Sequence, residues 1–149
     1  MQVSGIDHVV IAVHDLDRAR RFFRKLGMEF SRIEQQLPDG TPVERLGVVC
    51  YTNGDGSIEL VVPVYPVRED FLPEIRRLAR LLEERESVLV RVGFRVRGVT
   101  DAFFAEQGIG IARKYELDEM KPLLHRNIRE YVAKDEDTLG IQMAFMEYD

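Results

Sequence analysis

The chain has 149 residues, 45% of them apolar and 32% charged, with a formal net charge of −5. That is enough apolar chain for one compact core, and the acidic balance gives no electrostatic reason to expect nucleic acid as a partner. No apolar run approaches membrane-spanning length and the start shows no secretory pattern, so a cytoplasmic protein without a membrane partner is expected. The single cysteine, Cys50, excludes an intrachain disulfide, and its apolar setting (Val48, Val49) reads as a buried, inert thiol.

Residues 5–13 (GIDHVVIAV) are apolar and β-branched and predict a mostly buried strand. Asp15 offers an N-cap to a helix whose apolar positions are Ala19, Phe22, Phe23 and Leu26, with arginines opposite and Gly27 as the stop. Extended segments follow near 28–36, 43–52 and 57–64, separated by the turn sequences Pro38-Asp39-Gly40 and Asn53-Gly54-Asp55-Gly56. A second amphipathic helix spans 70–86, with Phe71, Ile75, Leu78 and Leu82 as its stripe and Pro73 in its first turn. Residues 88–96 (VLVRVGFRV) predict a strand, Thr100–Gln107 a short helix closed by Gly108, and strands follow near 110–117, 124–134 and 139–147.

The two halves overlay. His8–Val13 matches Arg91–Val96, and Ala19 matches Ala102, at a constant offset of 83 residues. The reading is therefore an α+β domain over 1–149, built from two β-α-β-β-β modules (about 1–67 and 87–149) with a linker helix at about 69–86. Each module alone leaves a naked sheet edge; two together cover one edge and form a curled mixed sheet around a central cavity.

Strand alternation then selects the groups that face such a hollow. His8 shares a face with Val10 and Ala12. In GSIELVVP, Glu59 shares a face with Ser57 and Val61, while Ile58, Leu60 and Val62 point away. An imidazole and a carboxylate on facing strands make half of an octahedral divalent-metal site. His14, beside Asp15, reads as a solvent-facing loop residue.

IDHVVIAVHDLDRARRFFRKLGMEF resembles the opening module of the vicinal-oxygen-chelate (glyoxalase, bleomycin-resistance, extradiol dioxygenase) superfamily, and GSIELVVP resembles its fourth strand. LLEERESVLVRVGFRV is similar to the crossover of methylmalonyl-CoA epimerases, the pattern nearest to this chain. The resemblance implies metal ligands at His8 and Glu59. It also implies a second histidine where this chain has Arg91, and a last-strand carboxylate or glutamine where it has Ala144. Gln142 shares the face of Ala144, Glu147 lies on the opposite one, and His125 is the residue left to replace the missing histidine. Glu44, in TPVERLGVV, lies close to where the epimerases carry a catalytic carboxylate; the alternative is a hairpin charge in water. A parity of 124–134 that turned Arg126, Arg129 and Tyr131 inward would add positive charge.

An arginine stays protonated and cannot ligate a metal, but its planar fork suits a carboxylate. Arg91 therefore stands either as a fixed cation for an anionic ligand or as a buried partner of Glu59. The leading expectation is a lyase or isomerase acting on a small carboxylate or thioester through His8, Glu59 and Glu44. Its metal centre is incomplete, and a divalent ion is the one cofactor admitted. The first alternative is a metal-free small-molecule binding protein with Arg91 and Gln142 in its pocket. The second is an extradiol-type dioxygenase with His8, His125 and Glu59 around iron. A homodimer is expected, with the 71–82 stripe available to either intrachain or interchain packing.

Overall fold

The computed structural model describes residues 1–33, 41–115 and 128–148. Among them are eight strands and three α-helices in an α+β arrangement. The chain divides into two compact units, Val10–Leu89 and Met1–Val9 with Val90–Asp149. Strand β1 (Gln2–Val13) gives its first residues to the second of these and its last to the first. Its burial differs from the expectation accordingly: residues 2–6 are exposed, and burial begins only at Val10.

In the unit Val10–Leu89, helix α1 (Leu16–Arg24) starts where the Asp15 carboxylate accepts a hydrogen bond from the backbone N–H of Arg18 at 2.9 Å. Asp17 in its first turn and Arg21 and Arg24 in its last complement the helix dipole. Strands β2 (Phe30–Ile33), β3 (Val48–Asn53) and β4 (Ile58–Pro63) follow as antiparallel neighbours, with β4 beside β1. Val13, Phe30 and Leu60 are buried together with Ala19 and Phe23 against them, so α1 covers one face of these strands. Phe22 and Leu26, predicted in the same stripe, are 57% and 59% exposed; nine helical residues bury only one narrow edge.

The extended segment expected over 43–52 begins late. Val43–Leu46 form a 3₁₀ turn, and β3 starts after Gly47, whose φ of 101° reverses the chain. Helix α2 is shorter than expected, Pro73–Glu84, with Pro73 at its first position. Phe71 precedes it and is buried, as are Leu78, Ala79 and Leu82, while Ile75 of the same stripe is partly buried.

The other unit repeats the plan. β5 (Ser87–Arg97), α3 (Asp101–Glu106), β6 (Ile111–Tyr115), β7 (Ile128–Ala133) and β8 (Gln142–Tyr148) run in order, with neighbours β1-β5-β8-β7-β6. As in the first unit, the fourth strand lies beside the first and the second to fourth are antiparallel neighbours. β5 and β8 are parallel, which requires a crossover connection, and α3 lies in it. Thr100 caps α3 by accepting from the Phe103 N–H. Phe104 packs against Tyr131 and Phe145, and Val96, Val99 and Ala133 complete that core.

The last strand begins at Gln142 rather than 139. Asp135–Asp137 form a 3₁₀ turn, and Leu139 adopts a positive φ with its side chain in water. No helix among the described residues is long and apolar enough to cross a membrane.

Candidate functional site

In each unit the sheet has a helix side and an opposite side, and the candidate residues lie on the latter. In the unit Val10–Leu89, Ile58, Leu60 and Val62 join the cluster under α1, so alternation puts Glu59 and Val61 on the other face, as expected. Glu59 is partly buried and lies across from Thr52 of β3. Glu44 is in the 3₁₀ turn, not on a strand. Its carboxylate pairs with Arg32 of β2 while remaining 41% exposed. His14 is exposed and Cys50 is buried, as expected.

The other unit holds the denser constellation. Phe94, Tyr131 and Phe145 fall on the α3 side, so Arg91 and Gly93 of β5, Gln142, Ala144 and Met146 of β8, and Glu130 and Val132 of β7 share the opposite face. Arg91 is the register partner of Gln142 and donates from Nε to its amide oxygen at 2.7 Å. From Nη1 it donates to Glu130 at 3.2 Å. Glu130 is opposite Met146, so the Arg91 side chain runs diagonally from the level of Gln142 to that of Met146. On that face the diagonal crosses Ala144, whose single methyl leaves room for the guanidinium.

Glu130 is almost fully buried, with 5% of its side chain exposed against 23% for Arg91. A carboxylate this enclosed needs a cation and hydrogen bonds. β7 thus corrects the expectation of added positive charge. Arg129 pairs with Glu147, Tyr131 is in the core, and the residue beside Arg91 is acidic.

His8 lies beside Gly93. A Cβ built on Gly93 would fall 2.6 Å from its Cε1 and 2.7 Å from its Nδ1, so the ring occupies space that only glycine leaves open. Its Nδ1 is 3.2 Å from Asp7 Oδ1. Asp7 also accepts from Tyr148 Oη at 2.7 Å and from Nε and Nη2 of Arg95 at 3.1 and 3.0 Å. Burial works to raise the Asp7 carboxyl, but the hydrogen bonds from His8, Tyr148 and Arg95 outweigh it and hold it at about 2. Asp7 is therefore a carboxylate and only accepts. In the hydrogen bond between them, Nδ1 of His8 is thus the donor.

A divalent metal does not fit the described donor set. Among the described residues no group of three or more His, Cys, Asp or Glu side chains could hold an ion. The two positions expected to complete the centre carry Arg91, whose fork is engaged by Gln142 and Glu130, and Ala144, which has no donor. His125, on which the dioxygenase alternative depends, and Arg126 lie outside the described residues.

Two residues escaped the sequence reading. They are Asp7 and Glu130. The legible signal for Glu130 was a lone carboxylate in the apolar alternation of IREYVA, at the parity opposite to Tyr131.

Residues 5–71 match the model of the family described as the Glyoxalase/Bleomycin resistance protein/Dioxygenase superfamily. No curated protein matches the chain in sequence. Methylmalonyl-CoA epimerase from Mycobacterium tuberculosis is similar in structure, 23% identical over 97% of this chain and 88% of that one, with a TM-score of 0.63. A methylmalonyl-CoA epimerase from Streptomyces coelicolor, in complex with 2-nitronate-propionyl-CoA, is 21% identical over 98% of both chains, with a TM-score of 0.59. A hypothetical protein from Bacillus halodurans C-125 is 17% identical over 97% of this chain and 94% of that one, with a TM-score of 0.61. Residues 5–71 thus match the model of this superfamily, and the chain shares the vicinal-oxygen-chelate fold of those methylmalonyl-CoA epimerases.

Proposed function

We propose that the protein is an enzyme of the isomerase or lyase type acting on a small anionic acyl compound, a carboxylate or a thioester, with Arg91 as the fixed cation of the site. The observation that carries this reading is the Arg91 fork, held at two points by Gln142 and Glu130 over the small side chain of Ala144. A guanidinium has five N–H donors, and these two bonds leave Nη2 and one Nη1 proton for a ligand. A planar, oriented cation suits a carboxylate or a developing enolate oxygen. The similar epimerases act on an acyl-CoA thioester, which makes this class the first to try.

The test is titration calorimetry with propionyl-CoA and with propionate, on the protein and on Arg91→Leu and Arg91→Lys variants. Binding that falls tenfold or more in Arg91→Leu, with Arg91→Lys intermediate, supports the reading. Full affinity in Arg91→Leu contradicts it. A second reading, sequestration of an anionic ligand without turnover, is favoured by Ala144, since a methyl group stands where the resemblance implies a carboxylate.

A further inference from the structure

Resting on that functional reading, we infer that His8 is the proton-transfer residue of the site, oriented by Asp7, rather than one ligand of a metal centre. Three independent features converge on the imidazole. Gly93 supplies the space in which the ring lies, because any side chain there would collide with Cε1 and Nδ1. Asp7 lies 3.2 Å from Nδ1, and its carboxylate is itself hydrogen-bonded by Tyr148 and by two nitrogens of Arg95, which favours this orientation. Gly93 is also the register partner of Ala144, the residue crossed by the Arg91 side chain. The imidazole and the guanidinium therefore occupy adjacent positions on one face. A carboxylate behind a histidine serves a metal ligand as well as a base. Here the neighbouring position holds a guanidinium and a methyl group, neither of which can ligate a metal ion, while the N–H groups of Arg91 not engaged by Gln142 and Glu130 can hydrogen-bond an enolate oxygen.

The chemistry balances with these groups alone. Nε2 of the neutral imidazole takes the proton α to the acyl carbonyl. The C–H bond breaks, an N–H bond forms, and the electron pair moves into the C=C bond of the enolate. Its oxygen takes the negative charge beside Arg91, and Asp7 stabilises the imidazolium. Return of a proton from Nε2 regenerates the acyl compound, and exchange of the Nε2 proton with solvent leaves deuterium at the α-carbon in D₂O. His8 is the catalytic residue in this scheme, and Asp7 is a positioning residue.

The test is NMR of propionyl-CoA in D₂O with chelator-treated protein, together with ¹⁵N spectra of the His8 ring. Expected are α-deuteration without added metal, a loss of at least about a hundredfold in His8→Gln, and about tenfold in Asp7→Asn at unchanged affinity for the thioester. The ring spectrum should show the Nδ1–H tautomer, with that preference weakened in Asp7→Asn. Thioester that binds but does not exchange, exchange that survives His8→Gln, or exchange that appears only when Mn²⁺ or Co²⁺ is added would overturn the inference and leave the binding role of Arg91 standing. Failure of the thioester to bind, seen by calorimetry, would overturn this inference, and failure of propionate as well would remove the functional reading with it.

Discussion

The His8 imidazole and the Gly93 backbone share one space: a Cβ on Gly93 would stand 2.6 Å from the ring. Gly93→Ala should therefore leave the sheet intact but displace the ring. The expected destabilisation is modest, about 1–2 kcal/mol, because a side chain rather than the backbone can give way. α-Deuteration of the thioester should fall much more than stability does. Urea unfolding and the exchange rate, measured on the same preparation, check this. Exchange at the parent rate would mean that the ring position does not matter.

Arg91 and Glu130 form a largely buried pair, and removing one partner strands the other. Arg91→Leu should cost about 2–4 kcal/mol, toward the low end of the range for buried pairs because the arginine is partly exposed. Adding Glu130→Leu should recover most of that loss, since two apolar groups leave no uncompensated charge. Chemical denaturation of the two single variants and the double variant gives the coupling.

Asp7 gives the pH dependence a sign. Its carboxyl is held at about 2 in the folded chain, against an ordinary 3.8. A carboxyl lowered by folding contributes stability that is fully present above the ordinary value and is lost as the pH falls through the folded one. The contribution is about 1–2 kcal/mol. The stability gap between the parent and Asp7→Asn should therefore be full at about pH 6 and narrow as the pH drops below about 4. An equal gap at both pH values would deny Asp7 its hydrogen-bonded, ionised role.

Gly47 makes a separate prediction in the other unit. Its φ is 101°, and a Cβ there would lie 2.5 Å from the buried Phe71 ring. Gly47→Ala combines backbone strain with a collision and should cost at least about 2 kcal/mol in urea unfolding. Loss of no more than a few tenths would show that Phe71 can move aside.

The opening strand, the capped α1 and the repeat of strand order were legible because each rests on local pattern: β-branched runs, Asp15 before an amphipathic stretch, and a constant offset between the halves. The faces of His8 and Glu59 followed from alternation, whereas the positions of Arg91 and Gln142 came from the resemblance. The 3₁₀ turn at Val43–Leu46 was not legible, because VERL carries strand-like residues and the stop comes from Gly47 packing on a distant Phe71. Arg91 was seen as a lone cation with two possible uses. Its pairing with Glu130 depends on strand register between β5, β8 and β7, which no short window of sequence contains. Asp7 was missed for a related reason: adjacent strand residues normally face apart, yet His8 Nδ1 reaches back to its neighbour.

The most direct test of the central claim, that Arg91 and not a metal ion supplies the positive charge of the site, is metal content. The protein and its His8→Ala variant would be loaded with Zn, Fe, Mn, Co and Ni salts, dialysed, and analysed for bound metal. Expected is well under one ion per chain, with no difference between the two proteins. One retained ion per chain, lost in His8→Ala, would contradict it and return His8 to a metal centre.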